Sequence, residues 1–146
     1  MTPGVRKIAA AIVFDTSGRL LLQQRDNIPG ILYPGRIGLF GGHLEEDETF
    51  LGCVVREIHE ELSYYVPPER FQRVGRREGP DRAVPGGIFH GEFFVTREVP
   101  LDKVTVTEGT LKIAEMEELG ELEHALTPSA LFALESFFGR LPKSHL

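Results

Sequence analysis

Gly41-Gly42-His43-Leu44-Glu45-Glu46-Asp47-Glu48-Thr49-Phe50-Leu51-Gly52-Cys53-Val54-Val55-Arg56-Glu57-Ile58-His59-Glu60-Glu61-Leu62-Ser63 is the stretch whose reading decides the fold. A glycine pair opens it, an acidic loop follows, and the remainder reads as a helix. On a helix spanning Glu48 to Leu62, at about 100° per residue, Leu51, Val55, Ile58 and Leu62 share one face and form a core stripe. Glu57, Glu60 and Glu61 then fall within about 100° of one another, away from that stripe. Arg56 stands four residues before Glu60, close enough to pair with it.

An acidic face alone demands no ligand, because like charges one turn apart cost only about 0.2–0.5 kcal/mol in water. The surroundings point further. Gly41-Gly42 permits backbone geometry closed to other residues, so a carbonyl can turn toward the helix. Glu48 adds a fourth carboxylate at the helix start, where negative charge is favourable. A donor set of oxygens suits Mg²⁺ or Mn²⁺. Zinc prefers nitrogen and sulfur, and Cys53 with His43 and His59 does not make a standard zinc set.

Outward from this stretch the chain reads as strands on both sides. Val5 to Phe14 is a strand whose run Ile8 to Phe14 is apolar without alternation, as for a strand covered on both faces. Asp15-Thr16-Ser17-Gly18 is a turn, and Arg19 to Arg25 returns as the second arm of a hairpin. Asp26 to Arg36 is a loop punctuated by proline and glycine, with Tyr33 either a plain surface residue or a stacking platform. Ile37 to Phe40 is a short strand. Pro67-Pro68 forbids continuation of the central helix. Phe71 to Arg77 and Ile88 to Thr96 are strands separated by the loop Gly79 to Gly87. Phe89, Phe93 and Val95 share one face of the second of these. Val104 and Val106 alternate as a further strand, Leu111 to Ala114 is another, and Glu115 to Leu119 is a helical turn. A last helix begins at Thr127, an N-cap, with Pro128 at its first position, and ends at Gly139. The order implies one α+β domain over 1–146.

The 146 residues are 41% hydrophobic and 26% charged, which fits a soluble globular domain. The net charge of −6 argues against a nucleic-acid face. It also means that a polyphosphate needs metal ions to reverse the local sign. The longest apolar run, Ile8 to Phe14, is too short to span a membrane, and the start carries no leader pattern. Cys53 is the single cysteine, so no internal disulfide forms; a reducing, cytoplasmic setting is the expectation. The apolar strand Phe89 to Val95, if exposed, offers a homodimer face.

The chain also resembles a known family, the Nudix hydrolases. Their signature runs Gly, five residues, Glu, seven residues, Arg-Glu, an aliphatic, any residue, Glu-Glu, any residue, Gly, an aliphatic. Here Gly42 is followed by five residues and Glu48, then seven residues and Arg56-Glu57, Ile58, His59, Glu60-Glu61 and Leu62. Every charged position matches. Ser63 stands in place of the glycine and Tyr64 in place of the aliphatic. The glycine ends the helix in a left-handed conformation, where serine costs about 1 kcal/mol or less.

The resemblance implies an α/β/α sandwich with a mixed sheet and a loop-helix-loop metal site. It implies hydrolysis of the diphosphate linkage in a nucleoside diphosphate joined to another group X, a small molecule. Carried over by position, Glu57, Glu60 and Glu61 are expected metal ligands together with the Gly42 carbonyl. Arg56 would orient the glutamates, with Glu48 in support. The general base comes from the box, as Glu57, or from a later loop, where Glu108-Gly109 offers Glu108. No serine or cysteine nucleophile motif is present. Arg25, Arg76, Arg77 and Arg82 could meet phosphate or nucleotide, and none is assigned. A sensing domain that kept the fold and lost turnover is the alternative, although such a domain would be expected to have lost some of these glutamates.

Overall fold

Strand β1 (Val5–Asp15) is the axis of the sheet, and its composition explains why. In the computed structural model, which describes residues 4–142, Ala9, Ala11 and Val13 pack into one core while Ala10, Ile12 and Phe14 pack into another. Successive side chains of a strand point to opposite faces, so an unbroken apolar run serves two cores at once. Helix α1 (Phe50–Leu62) covers the first face through Val54, Ile58 and Leu62. Helices α2 (Leu119–Leu122) and α3 (Pro128–Phe138) cover the second, through Leu119 and through Ala130, Ala133 and Leu134. The expected α/β/α sandwich is thus realised, and each fully buried leucine or isoleucine adds about 1.5–3 kcal/mol to it.

The sheet is mixed. Strands β2 (Leu20–Gln24), β3 (Ile37–Gly38), β4 (Phe40–His43), β5 (Gln72–Pro80), β6 (Ile88–Val99) and β7 (Thr110–Ala114) join β1 in the order β3-β2-β1-β6-β5, with β4 also on β1 and β7 also on β2. Of these paired strands only β1 and β6 run parallel, from Val5 opposite Ile88 to Val13 opposite Thr96 and on to Asp15 opposite Val99. The other edge of β1 is divided: β4 pairs with Ile8 to Ala11, and β2 with Val13 and Phe14. The segment read from sequence as one strand, Ile37 to Phe40, is therefore two. Ile37-Gly38 pairs with β2, and after Leu39 the chain steps across to β1.

Several local readings change. The helix starts at Phe50, with Thr49 as N-cap accepting from the Gly52 amide at 2.9 Å, so Glu48 precedes the helix. Leu51 is 38% exposed, whereas Cys53 and Glu61 are buried. The buried face of α1 is turned toward the glutamates, because β1 and β4 lie on that side. Val104 and Val106 form no strand. Their neighbours instead serve the exposed carbonyls at the end of α1, which lack helical partners. Thr105 N–H donates to Leu62 O at 2.9 Å, Thr107 N–H to Glu61 O at 3.1 Å, and the Thr107 hydroxyl to Glu60 O at 3.2 Å. The loop after β5 begins at Asp81. Phe89, Phe93 and Val95 are buried in β6 between β1 and β5, so that strand offers no dimer face.

Ser63 keeps the left-handed geometry that the glycine would supply, at φ 56° and ψ 31°. Ser63→Gly is expected to raise unfolding stability by about 1 kcal/mol or less, measured by urea denaturation. A loss of stability would mean that the serine makes an interaction worth more than the relieved strain.

Candidate functional site

A cleft of about 760 Å³ opens where the sheet divides, lined by Gly41, Gly42, Glu57, Glu60, Glu61 and Glu108. It also takes in Arg6, Arg25, Arg77, Arg82, Tyr33 and Phe89, together with Thr127, Pro128 and Ser129 at the start of α3. Carboxylates and guanidiniums thus share one cavity, a combination that suits an anionic ligand needing partners of more than one kind. No helix among the described residues is long and apolar enough to cross a membrane.

Glu61 is the most unusual group in it. Its side chain sits at the buried face of α1, and the residue is only 6% exposed. Oε1 accepts from the Gly41 amide at 3.0 Å and Oε2 from Gln23 Nε2 at 3.2 Å. Burial pushes its pKa up to about 8, and the neighbouring Glu57 and Glu108 carboxyl groups push the same way, against the Gly41 amide. Two hydrogen bonds do not offset the missing positive charge.

Arg56 gathers the remaining carboxylates. Its Nε and Nη2 grip Glu48 at 2.7 and 2.9 Å, Nη1 reaches Glu57 at 2.8 Å and Glu60 at 3.3 Å, and Nη2 also donates to the His43 carbonyl at 3.1 Å. The fork holds Glu48 down to about 2 and drives the guanidinium pKa upward. Glu57 lies so close to Gly42 that a Cβ there would meet its carboxylate carbon at 2.6 Å. At Gly41 a Cβ would stand 2.3 Å from the Ala9 carbonyl. The Gly42 carbonyl faces α1 and accepts from the Cys53 thiol at 3.5 Å. Cys53 is fully buried, and burial pushes its thiol up to about 12.

Glu108 is exposed at the cleft wall, on the segment tied to the end of α1. Of the four arginines left unassigned from sequence, Arg25, Arg77 and Arg82 line the cleft, while Arg76 pairs with Glu78 at 2.9 Å on the surface. Tyr33 lines it too, with φ 51°. Gln23 and the Arg6–Asp81 pair were missed. Gln23 closes the apolar run Leu20-Leu21-Leu22 yet is 5% exposed; a glutamine directly continuing an apolar strand run was the available signal. Arg6 grips Asp81 with two bonds of 2.8 and 3.0 Å, which hold Asp81 down to about 2. Arg6 and Arg77 also stand over the Phe89 ring, 5.1 and 5.5 Å from its centroid.

Among the described residues no three His, Cys, Asp or Glu side chains already enclose a point where an ion would sit. Arg56 holds Glu57 and Glu60, and Glu61 faces Gly41 and Gln23. The donors nonetheless fit a hard divalent cation: they are oxygens only, and the buried Glu61 lacks a cationic partner while lying beside two further carboxylates.

A family model described as NUDIX domain matches residues 4–139. No curated protein matches the chain. Among solved structures, a MutT NUDIX hydrolase from Burkholderia pseudomallei is similar at 25% identity and a TM-score of 0.70, over 90% of this chain and 97% of that one. A MutT protein from Methanosarcina mazei Go1 is similar at 19% identity and a TM-score of 0.72, over 95% and 94% of the two chains. A bifunctional NMN adenylyltransferase/ADP ribose pyrophosphatase from Francisella tularensis, complexed with AMP and a Mn ion, is similar at 22% identity and a TM-score of 0.64, over 89% of this chain and 39% of that one.

Proposed function

The chain belongs to the Nudix hydrolases, and from that premise we propose that it cleaves the diphosphate linkage of a small nucleoside diphosphate derivative with Mg²⁺ or Mn²⁺. The observation that carries this reading is the buried, cation-deficient Glu61 beside Glu57 and Glu108 in a cleft that also presents arginines. Glu57, Glu60, Glu61 and the Gly42 carbonyl are the groups that would hold the metal. The Mn ion and AMP of the Francisella tularensis protein are in keeping with that choice. A bound divalent cation would neutralise charge on the diphosphate oxygens and lower the pKa of a coordinated water.

The protein's own groups divide the remaining work. Arg56 keeps Glu57 and Glu60 oriented and is itself anchored by Glu48. The cleft arginines and Tyr33 meet the rest of the substrate. Glu108 takes the proton of the attacking water. Glu57 serves less well as a base, because its carboxylate is already engaged by Arg56. No covalent enzyme intermediate is needed.

The test is a panel of nucleotide sugars, dinucleoside diphosphates and nucleoside triphosphates, assayed with Mg²⁺ or Mn²⁺ and again after chelation. Metal-dependent cleavage of at least one compound is expected; turnover that survives chelation would overturn the reading. Glu108→Gln is expected to lower kcat by about 10²–10⁴-fold, the range of a general base, with little change in Mn²⁺ affinity. If metal affinity falls in step with rate, Glu108 is a ligand and not the base.

A further inference from the structure

We propose that Gln23 is a positioning residue of this site, whose side-chain amide sets the Glu108 loop against Glu61. The inference rests on the hydrolase reading for its kinetic consequence and on geometry alone for the tether itself. Gln23 is 5% exposed, and its Nε2 donates to Glu61 Oε2 at 3.2 Å and to the Glu108 carbonyl at 3.1 Å. Both neighbours are acceptors, so only the amide nitrogen with its two hydrogens satisfies them together. A leucine would fill the same space and do neither.

The loop is held from its other side by backbone. Thr105 and Thr107 donate to the carbonyls of Leu62 and Glu61 at the end of α1. Gly109, at φ 66°, passes so near β2 that a Cβ would lie 2.5 Å from the Gln24 carbonyl. Residues 105 to 109 are therefore fixed to α1 by main-chain bonds and pressed against β2 at one glycine. Gln23 is the side chain that joins the two attachments, touching a helix carboxylate and the Glu108 backbone at once. Glu108 can meet a water over the Glu61 end of the cleft only while this loop stays in place, and Gln23 thereby acts through Glu108 rather than on substrate.

Gln23→Leu, Glu108→Gln and the double variant separate the possibilities. Gln23→Leu is expected to lower kcat by about 10–100-fold, the usual effect of losing a residue that orients a catalytic group, with KM nearly unchanged. The double variant should be no slower than Glu108→Gln alone, because a lost positioning contact has nothing left to position. Losses that multiply would overturn the proposal. Amide hydrogen exchange supplies a readout that needs no turnover. Exchange from Thr107 to Gly109 should accelerate in Gln23→Leu while that of α1 does not change. Unaltered loop exchange would show that the tether is absent, whether or not the wild type hydrolyses any diphosphate. Absence of hydrolysis by the wild type, with accelerated exchange in the variant, would instead retain the tether and overturn the hydrolase reading.

Discussion

Glu61→Gln is expected to lower kcat by about 10³-fold or more while the fold survives, since it removes a negative charge that would hold the divalent cation. Packing changes little. The new side chain has the same shape, and its oxygen can still accept from the Gly41 amide. The stability effect has a definite sign. In the metal-free protein the Glu61 pKa is raised from 4.5 to about 8, chiefly by burial. A carboxyl group with a raised folded pKa contributes stability that is fully present below its unfolded value and is lost as pH rises through the folded one. Metal-free wild type should therefore weaken between about pH 4.5 and pH 8 through this group, and Glu61→Gln should remove that component. Urea denaturation in chelator across this range checks the sign, and steady-state kinetics checks the rate. A variant with near wild-type activity would remove Glu61 from the site.

Arg56→Met is expected to damage both stability and activity. Arg56 is 23% exposed at its side chain and pairs with Glu48 and Glu57, themselves 16% and 17% exposed. Breaking such a half-buried network leaves several carboxylates without their shared counter-ion, at a cost of about 2 kcal/mol, between the values for surface and fully buried pairs. Turnover should fall by about 10–100-fold through misplacement of Glu57 and Glu60. Arg56→Lys should recover much of the stability and little of the rate, because an ammonium cannot reproduce the fork that holds Glu48. Equal recovery of both would mean that Arg56 supplies charge alone.

The features legible in the sequence were those written in short-range spacing. The unbroken run in β1 called for a strand with two covered faces, and the structure gives it α1 on one side and α3 on the other. Thr127, Pro128 and Gly139 marked both ends of α3. The spacing of Arg56 and Glu60 anticipated a contact now seen at 3.3 Å, and the resemblance set Glu48 beside Arg56, which it meets at 2.7 Å. The features that escaped depend on partners far along the chain. Leu51 and Glu61 exchange their expected exposure because β4 approaches α1 through two glycines. Val104 and Val106 alternate like a strand, yet their neighbours Thr105 and Thr107 donate to helix carbonyls, which no local pattern announces. Gln23 meets Glu61 across 38 positions and Glu108 across 85, so only the folded sheet brings them together.

The most direct measurement of the central claim is Mn²⁺ titration followed by electron paramagnetic resonance, with wild type, Glu57→Gln and Glu61→Gln free of substrate. Saturable binding by the wild type, weakened by about 10-fold or more in each variant, is the predicted result. Equal binding in all three, or none in the wild type, would contradict a metal centre built on the α1 carboxylates.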